Sequence, residues 1–298
     1  MLTKIGIGIV VLFLLGLIYS LTIGSDDIIV KRVEISFAEL PSEFDGKRIV
    51  HISDIHIQNY NSPELISKLL KIIEEEKPDL LVYTGDYGSV DEMRKGADIL
   101  RRIETPLGKY AILGNHDYGN SEKASDNWKD EEDKIAIKKE LKSIYEEWGV
   151  KLLLNESDSL VINNQAIGIL GVEVFDPHHG FYDSNIDITK NNTNELSFKI
   201  LLTHNPDFWA NEILGKEDIQ LTLAGHTHGG QVGFILGPIR LSVTQAMYDR
   251  WAGLYEENRQ YLYVNTGLGW YGVSLRMGIP AEVTTITLIN EDGANAMN

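Results

Sequence analysis

Clusters of aspartate, asparagine and histidine recur along this chain, each behind an apolar run: Ser53-Asp54-Ile55-His56, Gly85-Asp86, Gly114-Asn115-His116-Asp117, Thr203-His204-Asn205 and Gly225-His226-Thr227-His228. Five of the eight histidines fall in them, at the carboxyl ends of predicted strands, where open α/β sheets place their ligand sites. Asp54 and His56 stand at positions i and i+2, so in extended backbone both project to one face and can grip one cation; His226 and His228 repeat that spacing. Two divalent ions roughly 3.5–4 Å apart can clamp a phosphate ester, lower the pKa of a shared water and neutralise developing charge. Holding two cations so close needs a bridging carboxylate. Asp86 is the natural bridge, having two oxygens and a preceding glycine that lets the backbone turn sharply. Asn115 offers a neutral oxygen, which limits negative charge and preserves Lewis acidity, and His116 beside it can donate a proton or contact phosphate.

The bulk composition fits that chemistry and excludes others. A chain of 298 residues, 43% hydrophobic and 24% charged, has ample material for a buried core. A net charge of −17 lacks the basic footprint that displaces counterions from nucleic acid, so nucleic acid is not expected as a partner. With no cysteine, disulfides, thiolate zinc sites and cysteine nucleophiles are excluded. Any metal must be held by oxygen and nitrogen. Mn²⁺, Fe and Zn²⁺ all suit such donors.

The elements that must position these groups are legible from periodicity. Alternation predicts a strand over residues 28–37, continued by a buried strand at 48–53. A helix opens at Asn61 or Ser62 with Pro63 and ends before Lys77-Pro78. A strand at 80–84, a helix near 91–103 and a strand at 109–113 complete a β-α-β-α-β rhythm, the mark of a largely parallel sheet. Beyond an acidic stretch with a solvated helix at 133–148 come strands at 151–154, 160–163 and 166–172, the last two joined by an Asn163-Asn164 turn. Later strands are expected at 197–203, 220–224, 260–265 and 283–289, separated by Gly-rich loops.

The ordered set D-x-H, GD, GNHD, H and GHTH resembles the calcineurin-like metallophosphoesterases over most of residues 48–289. The resemblance implies one ion on Asp54, His56, Asp86 and His228 and a second on Asp86, Asn115, His204 and His226. It implies that His116 contacts the scissile phosphate and that Asp117 orients it. The implied fold class is α/β (α+β), a β-sandwich flanked by helices. GHTHGGQV at 225–232, with YLYVNTGLG and the later RMGIP, is similar to the membrane-associated, YkuE-like bacterial branch, linked to phosphodiester or pyrophosphate cleavage and related to UDP-2,3-diacylglucosamine pyrophosphatase-type hydrolases. The expected reaction is hydrolysis by a hydroxide bridging the two metals, on a phosphoester that is a candidate for being lipid-linked. A phosphomonoesterase of small metabolites and a non-catalytic metal-binding membrane protein are the alternatives.

Residues 5–23 run for nineteen positions without a charge, which at 1.5 Å per residue spans roughly the ~30 Å hydrocarbon layer. No clear small-residue cleavage site follows. The expected organisation is therefore a single-pass transmembrane anchor at 1–24, preceding a catalytic domain at 25–298 on the extracytoplasmic face. Three further features carry weaker signals. His178-His179 reads as an exposed turn, not as ligands. Arg240, Arg250 and Arg276 could hold a second phosphate. Gly267, Gly269 and Gly272, interleaved with Trp270 and Tyr271, form an apolar loop that either rims the site or packs in the core.

Overall fold

A computed structural model describes residues 16, 20, 27–60, 62–119, 126–237 and 239–291. The expected anchor at 5–23 lies outside them apart from Gly16 and Ser20, and among the described residues no helix is long and apolar enough to cross a membrane. In chain order the elements are β1 (Ile28–Phe37), β2 (Arg48–Ile52), α1 (Pro63–Glu75), β3 (Leu80–Tyr83), α2 (Val90–Lys95), β4 (Lys109–Ala111), α3 (Glu131–Glu147), β5 (Lys151–Leu152), β6 (Glu156–Ile162), β7 (Gln165–Gly171), β8 (Phe175–Asp176), β9 (Phe181–Tyr182), α4 (Ile186–Thr189), β10 (Lys199–Leu202), β11 (Leu221–Ala224), β12 (Gly233–Leu236), β13 (Ile239–Ser242), β14 (Gly253–Glu257), β15 (Gln260–Val264) and β16 (Ala281–Asn290).

Two six-stranded sheets result, ordered β1-β16-β2-β3-β4-β5 and β14-β15-β11-β10-β7-β6. Strands β2 to β5 run parallel, as do β7, β10, β11 and β15. The period of two along each strand assigns side chains to layers. Ile49, Leu80 and Val82 meet Ile167, Ile200, Leu202 and Leu223 between the sheets. Val50, Ile52, Leu81 and Tyr83 face the other way, onto Leu69 and Ile73 of α1 and Leu141, Ile144 and Tyr145 of α3. Leu170, Leu201 and Leu262 cover the outer face of the second sheet with Phe208 and Trp209. The fold is therefore the expected sandwich of mixed sheets with helices outside.

Local chemistry sets the boundaries. Ser62 accepts the Leu65 amide at 3.3 Å and Pro63 occupies the first turn, where its missing N–H costs nothing. Asn163 and Asn164 both adopt positive φ, 47° and 69°, closing the β6–β7 hairpin as anticipated.

The structure corrects three readings. The helix expected near 91–103 breaks after α2, because Gly96 packs so close to Ile57 that a Cβ there would meet its Cγ1 at 2.4 Å. β2 does not continue β1 in the sheet; β16 lies between them, parallel to β1 and antiparallel to β2. The helix α3 is not merely solvated, since Leu141, Ile144 and Tyr145 are buried against the first sheet.

Leu202 is wholly buried between the sheets, two residues ahead of His204. Leu202→Ala is expected to lower the free energy of unfolding by about 2–5 kcal/mol in urea denaturation. Val161→Ala, on the exposed face of β6, should stay within about 0.5 kcal/mol; equal effects would contradict the assigned layers.

Candidate metal centre

The loops after β2, β3, β4, β10 and β11 converge at one end of the sandwich, and each delivers part of the predicted set. Backbone bonds tie them together: Asp54 N to Gly85 O at 2.9 Å, His56 N to Asp86 O at 3.0 Å, and Gly225 N to His204 O at 3.0 Å. Asp54, His56, Asp86, Asn115, His204 and His228 are all buried. Among the described residues three groups form, each with ligand atoms within 4.8 Å of one another and able to hold a cation: Asp54 with His56 and His228, Asp86 with His204 and His226, and Asp176 with His179 and His226, which brings in a histidine of the turn that the sequence reads as exposed and not as ligands. Asp86 faces the first two. Its Oδ2 lies 3.2 Å from His204 Nε2 and 3.7 Å from His56 Nε2, while its Oδ1 accepts the His116 amide at 2.8 Å.

The residue pairs do not meet through extended backbone as the spacing suggested. Asp54, His56, Asp86, His226 and His228 have φ of 51°, 44°, 61°, 71° and 48°. Left-handed backbone at non-glycine residues costs on the order of 1–3 kcal/mol each and persists only where surrounding structure enforces it. Here glycines permit the approach. A Cβ on Gly85 would meet Gly114 N at 2.4 Å, one on Gly114 would meet Asp86 Oδ1 at 2.2 Å, and one on Gly225 would meet Ser53 Oγ at 1.9 Å.

Electrostatics and hydrogen bonding prepare these groups for a cation. Burial holds His56 down at about 4 and His226 at about 3, and drives His228 well below its ordinary value, so the rings are neutral, with His56 Nε2 and His228 Nε2 3.1 Å apart. Burial lifts Asp54 to about 6. His204 behaves differently: burial opposes its charge, but Asp86 outweighs it and raises the ring to about 10. Asp86 correspondingly stays ionised, its burial overcome by His204 and His116. His204 Nδ1 donates to Thr84 O at 2.7 Å, which aims Nε2 at Asp86. Asn115 Oδ1, His204 Nε2 and His228 Nδ1 are buried without a hydrogen-bond partner. A buried lone pair left unpaired is costly, and a dication at Asn115 Oδ1 would satisfy it, whereas His204 Nε2, 3.2 Å from Asp86 Oδ2, would have to give up its proton to bind one. The donor set is all oxygen and nitrogen, and so fits the divalent ions expected.

His116 lines the open cleft above Asp86 and Asn115, with its ring 5.2 Å from that of Tyr271. Asp117 is turned elsewhere. Its carboxylate accepts four backbone N–H groups, from Asp86 at 2.9 Å, Tyr87 at 2.7 Å, Gly88 at 3.0 Å and Gly114 at 2.7 Å. Its hydrogen bonds hold the loop that carries Asp86, not the His116 imidazole. Burial and the Asp86 charge push Asp117 up to about 7, while the four donors favour its ionised form.

The cleft also contains residues the sequence did not single out. Asp176, wholly buried at the end of β8, puts Oδ2 2.5 Å from His179 Nδ1 and 3.6 Å from His226 Nε2. Tyr248 OH lies 2.8 Å from the same His226 nitrogen. The Asp-Pro-His-His-Gly turn was the available signal, and of its two histidines His178 is exposed and His179 half-buried. Conversely, none of the three arginines lines the cleft. Arg276 is buried and donates to the carbonyls of Thr266, Gly267 and Gly269; Arg250 stacks on Trp209, and Arg240 bonds Ala252 O. They clip loops in place. Of the late apolar loop, Leu268 is core and Tyr271 rims the cleft.

With this geometry, the similarities to known proteins become specific. The chain is 30% identical over 257 residues to the uncharacterized metallophosphoesterase YkuE of Bacillus subtilis, covering 84% of this chain and 81% of that one. It is 27% identical over 268 residues to a transmembrane protein with metallophosphoesterase domain of Danio rerio, covering 86% of this chain and 56% of the relative. It is 26% identical over 299 residues to the UDP-2,3-diacylglucosamine pyrophosphatase LpxG of Chlamydia muridarum, covering 85% and 87%. Residues 47–230, which contain every motif from Asp54 to His228, match the calcineurin-like phosphoesterase family, and this chain belongs to that family of metal-dependent phosphoric ester hydrolases.

Proposed function

We propose that this chain hydrolyses a phosphodiester or pyrophosphate bond in a lipid-linked substrate at a membrane. In this reading Asp54, His56, Asp86 and His228 hold one divalent ion, and Asp86, Asn115, His204 and His226 hold the second. The supporting observation is a single carboxylate, Asp86, facing two separate ligand groups. Ions so held would supply Lewis acidity toward a phosphoryl oxygen and would lower the pKa of water. The residues do the rest. Asp54 and Asp86 supply the negative charge that retains the cations, while His204, fixed through Nδ1, keeps its other nitrogen aimed at the second position. His116, at the mouth of the cleft, is placed to contact the scissile phosphate and to protonate the leaving oxygen. Asp117 serves indirectly, by fixing the loop between β3 and α2.

The lipid-linked substrate is supported by the pyrophosphatase named LpxG among the relatives and by the uncharged run at residues 5–23. We read residues 1–24 as a single-pass anchor and 25–298 as the catalytic domain, on the extracytoplasmic face.

Asp86→Ala and His226→Ala should each lower hydrolysis of bis-p-nitrophenyl phosphate by roughly 100-fold or more, beyond the 10–100-fold typical of losing an outer partner; wild-type turnover in either variant would refute the ligand assignment. His116→Ala is expected to lower kcat by roughly 10²–10⁴-fold with metal content unchanged, and loss of metal instead would make His116 a ligand. The wild-type protein should cleave the diester faster than p-nitrophenyl phosphate, whereas the reverse order would favour a phosphomonoesterase.

Proton release gives an independent check. Because His204 in the metal-free chain stays protonated up to about pH 10 while His56 and His226 are already neutral, cation uptake at pH 7.5 must displace about one proton from His204. Calorimetry in buffers of different ionisation enthalpy should register it, and His204→Ala should lower it by about one proton.

A further inference from the structure

The strands β12 and β13 pair only with each other among the described residues, forming a ribbon that stands clear of both large sheets. Cross-strand pairing sets Phe234 opposite Leu241 and Leu236 opposite Ile239, so these four side chains share one face of the ribbon. They are 44%, 50%, 70% and 54% exposed. Val243, Met247 and Val273, in the segments that adjoin the ribbon's base, are also more than half exposed. Single exposed apolar residues need no explanation, but a contiguous apolar face of this kind marks an interaction surface.

The ribbon is continuous with the catalytic cleft. Gly230 and Gln231 line the cleft immediately before β12, Met247 lines it after β13, and Gln231 bonds the Tyr271 amide and the Val273 carbonyl. The point where the described fold begins lies at the same end. Ile28 pairs with Ala281, and Gly233 bonds Met277 across the ribbon's base at 3.0 Å. The short stretch between Met277 and Ala281 can span no more than about 14 Å of extended chain. Glu282, in turn, donates its amide to Gly267, which packs on Asp54 and His228.

We propose that the β12–β13 ribbon seats its apolar face in a lipid bilayer surface and thereby holds the open metal cleft against the membrane. The proposal rests on reading residues 1–24 as an anchor, since the uncharged run at 5–23 leads directly into the strand whose start adjoins the ribbon. The chemistry favours apolar insertion over headgroup attraction: the chain carries a net charge of −17, and the ribbon's one cation, Arg240, is engaged with Ala252 O and the Tyr255 ring. Side chains such as Phe, Leu and Ile partition into the acyl boundary without needing anionic lipid. A neutral, zwitterionic surface is therefore sufficient.

The absence of cysteine allows a single label to be placed at will. Full-length Leu236→Cys and Val161→Cys, each carrying an environment-sensitive fluorophore, are reconstituted with phosphatidylcholine vesicles containing a nitroxide-bearing lipid. Val161 is the control: it lies beside Asn163, which bonds Glu43 beyond the far end of β1. The label at 236 should shift to the blue and lose emission to the lipid quencher, while the label at 161 should do neither. Vesicle co-sedimentation reports the anchor separately. Protein that sediments with vesicles yet leaves the 236 label unquenched overturns the docking surface and leaves the anchor standing. Protein that fails to sediment refutes the anchor reading, and the ribbon proposal falls with it. A blue shift at 236 that follows protein concentration without lipid means that a second copy covers the ribbon, and also overturns the proposal.

Discussion

Asp86 faces two groups of candidate ligands from one buried carboxylate, and much of this chain is arranged so that it can. An ionised carboxylate far from water is stable only among compensating dipoles and charges. Asp86 finds them on every side: the His116 amide on one oxygen, His204 and His56 near the other. Its own backbone is held in place by Asp117, which collects four N–H groups from the two loops flanking it. One buried acid thus spends its hydrogen-bonding capacity positioning another. The arrangement also explains the glycines, because Gly85 and Gly114 press the two loops together at distances that no Cβ would allow.

The sandwich makes this convergence possible. Parallel strands all end on one side, so β2, β3 and β4 deliver Asp54, Asp86 and Asn115 to the same edge of the first sheet, and β10 and β11 deliver His204 and His226 from the second. The two edges must also be kept in register. Asn265, following β15, donates from its side chain to His51 O in the first sheet and to Thr284 Oγ1 in β16, and accepts the Gly267 amide. That one side chain ties the second sheet to two strands of the first beneath the ligands. His51, wholly buried and held down to about 3 by burial, is neutral and bonds Thr84. It belongs to this scaffold and is not a further ligand.

The ligand loops were legible because each motif pairs a strand end with residue types that have few reasons to cluster otherwise. Their backbone was not. Asp54-x-His56 and His226-x-His228 read as extended, and the left-handed conformations that bring them together are imposed by contacts from distant loops, such as Asp54 O accepting the Gly269 amide at 2.7 Å. Asp176 and Tyr248 escaped notice for a related reason. They act on His226 from other segments of the chain; Asp176 opens a His-His turn that reads as exposed, and Tyr248 sits in no pattern that marks it. The β12–β13 ribbon was hidden because its apolar residues are brief runs on either side of Gly237-Pro238 that bury nothing within the fold, so they read as part of a Gly-rich loop.

The insertion of β16 between β1 and β2 could not be inferred from local pattern either, yet it decides at which end of the sheet the chain enters the fold. β16 runs antiparallel to β2, pairing Thr284 with His51, so its first residues lie beside the catalytic end of β2. β1 runs parallel to β16, pairing Ile28 with Ala281, so the chain must enter the fold at that end as well. Had β1 joined the sheet as a parallel neighbour of β2, the start of the domain would lie opposite the ligand loops, about one strand length away, or roughly 17–20 Å for a typical strand. The topology therefore puts the start of the described fold and the candidate metal ligands at one end of the first sheet. A substrate confined to the surface from which the chain emerges would meet the open side of the cleft without the domain having to turn over.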